Sequence, residues 1–174
     1  MQLLVSVANA DEAAAAAAAG ALFVKVGFAG TSDITRLARV LEAARRGAPG
    51  AVVAVAYADA DRAAAPPQAA VLEAAARAGV TGVLLDTADK SGPGVRRLMT
   101  APALADWVRA ARDARLRVAI AGQLTAGDLS FVRDLGADIA GVRGAACIGG
   151  RTGRVSSRLV RELRQQAQGL RAMA

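Results

Sequence analysis

The chain has 174 residues, of which 54% are hydrophobic, with 22 Lys or Arg, 15 Asp or Glu, one cysteine and no histidine. The absence of histidine excludes a Ser-His-Asp triad, an imidazole base and a histidine-bearing metal site, and a single cysteine excludes an intramolecular disulfide. A chain of this length can bury one sizeable core, so we expect a single domain over residues 1–174 with no cofactor and no metal.

The amino-terminal sequence, MQLLVSVANADE, lacks a basic segment, and no stretch reaches about 18 uninterrupted apolar residues. We therefore expect a cytoplasmic protein with no membrane partner. The net charge of +7 is a reason to consider nucleic acid as a ligand. However, the arginines are scattered beside acidic residues on predicted helices, and 3% aromatic residues are too few for a base-stacking platform. We expect no nucleic-acid partner.

Short apolar runs alternate with longer helical stretches along the whole chain. The predicted strands lie at 2–7, 21–26, 51–57, 81–86, 117–121 and 138–142, and the predicted helices at 11–19, 33–46, 64–78, 103–115, 126–135 and 156–170. Regular alternation of strand and helix predicts a parallel sheet with right-handed crossovers, and continuously apolar strands predict that both faces of the sheet are covered.

The number of βα units leaves two architectures open. An eight-stranded barrel usually needs roughly 200 residues or more, whereas an open doubly wound sheet accommodates six strands easily. Both architectures bind ligands at the carboxyl ends of their strands, so the side chains at those ends are the candidate site in either case.

Lysine is rare in this chain, since Lys25 and Lys90 are the only two among 22 basic residues. A desolvated lysine can lose its proton and act as a nucleophile or base, which arginine cannot. Lys25 lies near the end of the second predicted strand, where its apolar neighbours predict burial. Asp86 ends the fourth strand, and Lys90 follows in the next loop, so the two can form an acid/base pair. The alternatives are a loop-closing carboxylate at Asp86 and a solvent-exposed amine at Lys90.

Further polar residues follow the third strand at Asp59, Asp61 and Arg62.

The segment GVRGAACIGGRTGR at 141–154 is rich in glycine and follows a predicted strand. Such a turn exposes backbone N–H groups, and arginine forks match phosphate oxygens. With AGQL at 121–124 it predicts a phosphate cradle; the alternative is a loop that merely turns. The candidate phosphate-binding residues are Gly122, Gln123, Arg143, Gly144 and Ala145, with Arg151 and Arg154 as further basic groups. Cys147 is interpreted as a packing residue, because no histidine is present to activate it.

Six segments in this order, LLVSVANADEA, FVKVGFAGT, VVAVAYADADR, LLDTADKSG, RVAIAGQL and DIAGVRGAACIGG, resemble the (5-formylfuran-3-yl)methyl phosphate synthase family over residues 1–166. Members of this family are TIM-barrel lyases that condense two molecules of glyceraldehyde 3-phosphate through a lysine imine (Schiff base), in the biosynthesis of methanofuran and a related one-carbon carrier. The resemblance implies that Lys25 is the proton-accepting lysine and that Asp86 and Lys90 assist proton transfer.

The chain also departs from the family pattern. The family's imine-forming lysine lies on the second barrel strand in an Asp-Val-Lys-like motif, which has no match here, and Gln123 replaces the serine of AGSL. We therefore expect a TIM-barrel-like α/β repeat shortened to about six βα units, without barrel strands two and three. The alternative to a synthase is a catalytically silent remnant that binds phosphate or a partner. An open six-stranded sheet also predicts a homo-oligomer that completes it.

Overall fold

The structure of the protein is a computed structural model that describes residues 4–7, 15 and 19–169. The strands are β1 (Leu4–Val7), β2 (Phe23–Gly27), β3 (Val52–Tyr57), β4 (Gly82–Asp86), β5 (Arg117–Ile120), β6 (Ile139–Ala140), β7 (Cys147–Ile148) and β8 (Arg154–Val155). The α-helices are α1 (Ile34–Gly47), α2 (Gln68–Ala78), α3 (Val95–Leu98), α4 (Ala101–Asp113), α5 (Leu129–Asp134) and α6 (Ser157–Ala167), with 3₁₀ turns at Ala126–Asp128 and Gly144–Ala146. Within the described ranges, no helix is long and apolar enough to cross a membrane.

Among the described residues, the main sheet has six strands in the order β1-β2-β3-β4-β5-β6, and every neighbouring pair is parallel. A doubly wound sheet reverses its strand order at a switch point, whereas this order runs in one direction throughout. Right-handed crossovers then place the helices on one face, which is the winding of a TIM barrel. The expectation of a shortened barrel-like repeat is confirmed. β7 and β8 form a separate antiparallel pair.

The two faces of the sheet differ in burial. On the face packed against the helices, Val24 and Val26 of β2 and Val83 and Leu85 of β4 are 0% exposed. These residues meet apolar helix residues such as Leu37, Leu41, Val71, Leu104 and Val108 in one core.

The face of the sheet opposite the helices is here called the concave face. The expectation that side chains on this face are buried holds for β4, where Leu84 is buried, but is wrong for β2 and β5. Phe23 is only half-buried and Arg117 is exposed, and both line an apolar cavity of about 190 Å³ with Ile139. In a closed eight-stranded barrel, side chains from all strands fill this space. With the six described strands, this face stays partly open at Phe23 and Arg117.

Several helix boundaries follow from capping residues, which satisfy backbone groups at the helix ends. The Asp33 carboxylate accepts a hydrogen bond from the Arg36 backbone N–H at 3.0 Å and begins α1. Gly79 ends α2 with a left-handed φ of 64°, which glycine adopts without strain. Thr125 and Asp128 form a reciprocal capping box, and Ser156 caps α6.

Other boundaries differ from the prediction for identifiable reasons. α2 begins at Gln68 rather than at residue 64, because Pro66 and Pro67 hold the preceding backbone extended. The predicted 126–135 helix divides into a 3₁₀ turn and α5, and the last parallel strand shortens to two residues. α3 and the β7–β8 pair were not predicted, since each is too short to show a period. The predicted helix at 11–19 lies largely outside the described residues.

Gly82 allows β4 and β5 to approach closely. A Cβ at this position would lie 2.5 Å from the Arg117 carbonyl oxygen, a backbone atom that cannot move aside. We expect Gly82→Ala to lower the free energy of unfolding by about 1–3 kcal/mol, measured by chemical denaturation. Gly127→Ala is the matched control, because its Cβ would meet only Thr125 at 3.8 Å, and its effect should stay within about 1 kcal/mol. Equal losses in both variants would contradict this account.

Candidate functional site

A cavity of about 700 Å³, here called the site cavity, opens at the carboxyl ends of the parallel strands. All eight residues predicted to form the site line it: Lys25, Asp86, Lys90, Gly122, Gln123, Arg143, Gly144 and Ala145. These residues come from four βα units separated widely in sequence. The barrel winding brings them together because it directs every strand's carboxyl end to the same edge.

Lys25 reaches the site cavity from β2. Its neighbours Val24 and Val26 point into the helix-facing core at 0% exposure, which fixes the strand and turns Lys25 to the concave face. The side chain is half-buried rather than enclosed, which corrects the expected burial. Lys25 borders both the site cavity and the apolar cavity beneath it.

Asp86 and Lys90 form the acid/base pair that their spacing predicts. The Lys90 Nζ lies 2.8 Å from Asp86 Oδ1, and the side chains are 34% and 21% exposed, respectively. Lys90 Nζ also donates to the Thr87 carbonyl, and the Thr87 backbone N–H donates to Asp86 Oδ1 at 2.8 Å. These contacts hold the ammonium group at the mouth of the site cavity.

Asp59 is the residue whose importance the sequence analysis missed. It is 6% exposed, and its two carboxylate oxygens accept the backbone N–H groups of Ala88 and Asp89, each at 2.8 Å. Asp61 and Arg62, which share its loop, are exposed. An acidic residue two positions beyond a buried strand was the available signal, but sequence alone does not tell a buried carboxylate from a solvated one.

Tyr57 stands at the end of β3, directly across the ladder from Asp86. Burial raises the pKa of its hydroxyl above 10.0, and the negative charges of Asp86 and Asp59 raise it further. A Cβ at Gly27 would lie 3.0 Å from the Tyr57 hydroxyl oxygen and 2.8 Å from Val55. A glycine on β2 therefore makes room for the tyrosine ring.

The opposite wall of the site cavity is built from backbone and arginine. Gly144 and Ala145 begin a 3₁₀ turn, whose first amides have no acceptor within the turn, and Arg143 and Arg151 flank it. This arrangement suits an anion. Arg154 lies in β8 and is not among the lining residues, so its expected place in the cradle is wrong.

Gly122 and Gln123 form a tight turn with φ values of 91° and 58°. The Gly122 carbonyl accepts the Val95 N–H at 2.9 Å, and Gln123 Nε2 donates to the Gly92 carbonyl at 2.8 Å. The Gln123 side chain thus ties two rim loops together.

Cys147 is buried in β7. In the described part of the chain, no group of three or more Cys, Asp or Glu residues is placed to hold a metal ion.

Tyr57 is the only tyrosine in the chain, so its ionisation can be followed directly by ultraviolet absorbance. We expect a midpoint above pH 10, and Asp86→Asn should lower it by removing a negative charge. Because the unfolded chain releases this proton first, folding stability should fall as pH rises above about 10. Asp106→Asn, at an exposed position on α4, is the control. A midpoint at or below 10, or an equal shift in both variants, would contradict the described surroundings of Tyr57.

Solved structures share this fold. 3-Hexulose-6-phosphate synthase from Salmonella typhimurium superposes with a TM-score of 0.68 over 97% of this chain and 74% of that chain, at 18% identity. A 2,3-dimethylmalate lyase of the PEP mutase/isocitrate lyase superfamily gives 0.65 over 97% of this chain and 63% of that chain, at 16% identity. Both are TIM-barrel-like, and at these identities the likeness concerns the fold alone.

Sequence comparison identifies the family. Two proteins named (5-formylfuran-3-yl)methyl phosphate synthase are similar to this chain. The protein of Methanothermobacter thermautotrophicus is 37% identical over 84% of this chain, a match that covers 64% of that protein. The protein of Methanopyrus kandleri is 40% identical over 84% of this chain, a match that covers 65% of that protein. The chain therefore spans slightly less than two thirds of these relatives. The model of the 4-HFC-P synthase family matches residues 5–164, nearly the whole chain, and the protein belongs to that family.

Proposed function

We propose that this protein binds triose phosphates and condenses two molecules of glyceraldehyde 3-phosphate into (5-formylfuran-3-yl)methyl phosphate, as an enzyme of methanofuran or methylofuran biosynthesis. The observation that carries the proposal is the convergence of both lysines of the chain, with Asp86, on a cavity that also holds a glycine-rich anion loop. A volume of about 700 Å³ has room for two small phosphorylated substrates.

The site cavity divides into two chemically different ends. The Arg143–Ala145 segment, Arg151 and the turn at Gly122 supply cationic forks and free amides, which suit phosphate oxygens. Lys25, Asp86 and Lys90 lie on the other side, on β2 and after β4. A triose phosphate anchored by its phosphate would therefore extend its carbonyl carbons toward the amines. This division supports a substrate that carries both groups.

The proposed chemistry begins when a lysine nitrogen adds to an aldehyde carbon and water leaves, which forms an iminium ion. The iminium draws electrons from the adjacent carbon, so a base can remove a proton there, and the resulting enamine attacks the second aldehyde. We assign Lys25 as the proton acceptor, which leaves Lys90, the only other lysine of the chain, as the amine that forms the iminium ion. The Lys90 Nζ lies 2.8 Å from Asp86 Oδ1, so the Asp86 carboxyl group is placed to pass protons to and from the reacting nitrogen and the leaving hydroxyl groups.

A catalytically silent phosphate-binding remnant is the second candidate function. It is favoured by the absence of the Asp-Val-Lys-like motif from the sequence and by the fraction of its relatives that the chain spans, 64% and 65%. In that case the anion loop would still bind phosphate, and neither remaining lysine would form an imine.

Borohydride trapping with glyceraldehyde 3-phosphate separates the two candidates. We expect a stable adduct on one lysine, located by intact mass and peptide mapping, and its loss in the matching variant, Lys25→Arg or Lys90→Arg. The double variant retains only the N-terminal amine and is the control. Absence of an adduct in a protein that binds the phosphate would favour the silent remnant.

The anion loop gives a second test with a matched pair of arginines. We expect Arg151→Gln to weaken the binding of glycerol 3-phosphate, which has no carbonyl to react, by about tenfold in titration calorimetry. Arg154→Gln removes the charge of another exposed arginine, three positions further along, that does not line the cavity, and should leave the affinity nearly unchanged. Equal losses in both variants would mean that general positive charge, rather than this loop, attracts the ligand.

The remaining expectations stay predictions. These are cytoplasmic location, the lack of a nucleic-acid partner, one domain over residues 1–174, a homo-oligomer, and the assignment of the absent strands to barrel positions two and three. Within the described residues, β1 and β6 each pair with one neighbouring strand. Open edges of this kind favour pairing with a second copy of the chain.

A further inference from the structure

We propose that Asp59 is a positioning residue of the site, and that its buried carboxylate sets the position of the Lys90 amine. It acts through the Lys90 loop, defined here as residues 87–92. The loop contacts support this role directly, and its consequence for catalysis rests on the proposed function.

The first support is the geometry of the Asp59 carboxylate. Oδ1 accepts the Ala88 N–H at 2.8 Å and Oδ2 accepts the Asp89 N–H at 2.8 Å, so one side chain fixes two consecutive peptide groups about 30 positions further along the chain. Hydrogen bonds from amides to an ionised carboxylate are about twice as strong as neutral ones. The Asp59 backbone is itself held, because its carbonyl accepts the Ala63 N–H at 3.0 Å.

The second support is the place of Lys90 within the loop. Residues 88 and 89 immediately precede Lys90, and Gly92 on its other side accepts the Gln123 side chain at 2.8 Å. The loop is therefore tied to the β3 unit ahead of Lys90 and to the β5 unit behind it. Between these ties, Lys90 Nζ reaches Asp86 Oδ1 at 2.8 Å. A shift of the peptides at 88 and 89 would move the amine.

The third support is the electrostatic situation of Asp59. The carboxylate is 6% exposed and is in none of the ion pairs between described residues, so the two amides are its observed compensation. An asparagine has almost the same size, but its NH₂ group would face one of the two N–H donors. Asp59→Asn is thus a small change that repels the loop at one defined point.

The test uses the fact that the chain has only two lysines. Trace reductive methylation followed by peptide mass spectrometry measures the reactivity of each amine separately. In Asp59→Asn we expect the labelling rate of Lys90 to rise several-fold, because its amine loses its fixed contacts with Asp86 and Thr87. The rate of Lys25 on β2 should stay the same. An unchanged Lys90 rate, or an equal rise at both lysines, would overturn the proposal.

Asp138→Asn is the matched control. Asp138 Oδ2 accepts the Val118 N–H at 2.8 Å, which is the same type of contact at the amino-terminal end of the strands, away from the site cavity. This variant should leave both labelling rates unchanged. A rise in Lys90 labelling here as large as that in Asp59→Asn would also overturn the proposal, since loosening anywhere in the sheet would then suffice.

If Asp59→Asn does not fold, hydrogen exchange in the unaltered protein decides. The amides of Ala88 and Asp89 should be protected, and exchange at the rate of an open loop would overturn the proposal.

Under the proposed function, Asp59→Asn should lower kcat by about 10- to 100-fold, because small misplacements of a reacting group cost this much. The affinity for glycerol 3-phosphate should be retained, since the anion loop belongs to other elements. Failure of the proposed function would abolish turnover in the unaltered protein and leave the labelling result standing.

Discussion

The one-directional order of the parallel strands is the constraint on which the rest of this structure depends. Because each strand pairs with the next one along the chain, right-handed crossovers place the connecting helices on one face, and the strand ends that carry polar residues meet at one edge. Lys25, Asp86 and Arg143 are far apart in sequence and share a cavity only for this reason. The apolar face of each strand sets its register, and the alternation of side chains then turns Lys25 and Asp86 to the concave face.

The rim of the sheet is organised by carboxylates that bond backbone rather than by isolated ion pairs. Asp59 binds two amides of the Lys90 loop, and Asp86 binds both the Thr87 amide and the Lys90 amine. Each carboxylate therefore joins a rigid strand end to a loop. Burial raises the pKa of Tyr57 and the negative charges of Asp86 and Asp59 raise it further, so its hydroxyl stays protonated to a higher pH than that of an exposed tyrosine.

Much of the fold and the list of lining residues could be predicted from the sequence, because strand ends, glycine turns and rare lysines leave local signals. The capping residue Asp33 and the C-terminal glycine Gly79 are of this kind. The role of Asp59 and the place of Tyr57 beside Gly27 could not be predicted, since they depend on contacts between βα units. The half-buried state of Lys25 was missed for a similar reason: cover of the concave face depends on how many strands close the sheet, which no local pattern records.

A sheet of six strands can still hold a coherent site because the site draws only on β2 to β6, which are consecutive neighbours in the sheet. The anion wall comes from the loops after β5 and β6, and the amine wall from β2 and the loop after β4. The supporting contacts add the β3 unit, which lies between β2 and β4 and carries Asp59 and Tyr57, while Gln123 belongs to the β5 unit. A smaller number of strands leaves the concave face less covered, and the apolar cavity beneath Lys25 is therefore partly open. The Lys25 side chain is accordingly half-buried rather than enclosed. The number of strands thus governs how far the concave face around Lys25 is covered, whereas the geometry of the site depends on the neighbouring strands β2 to β6.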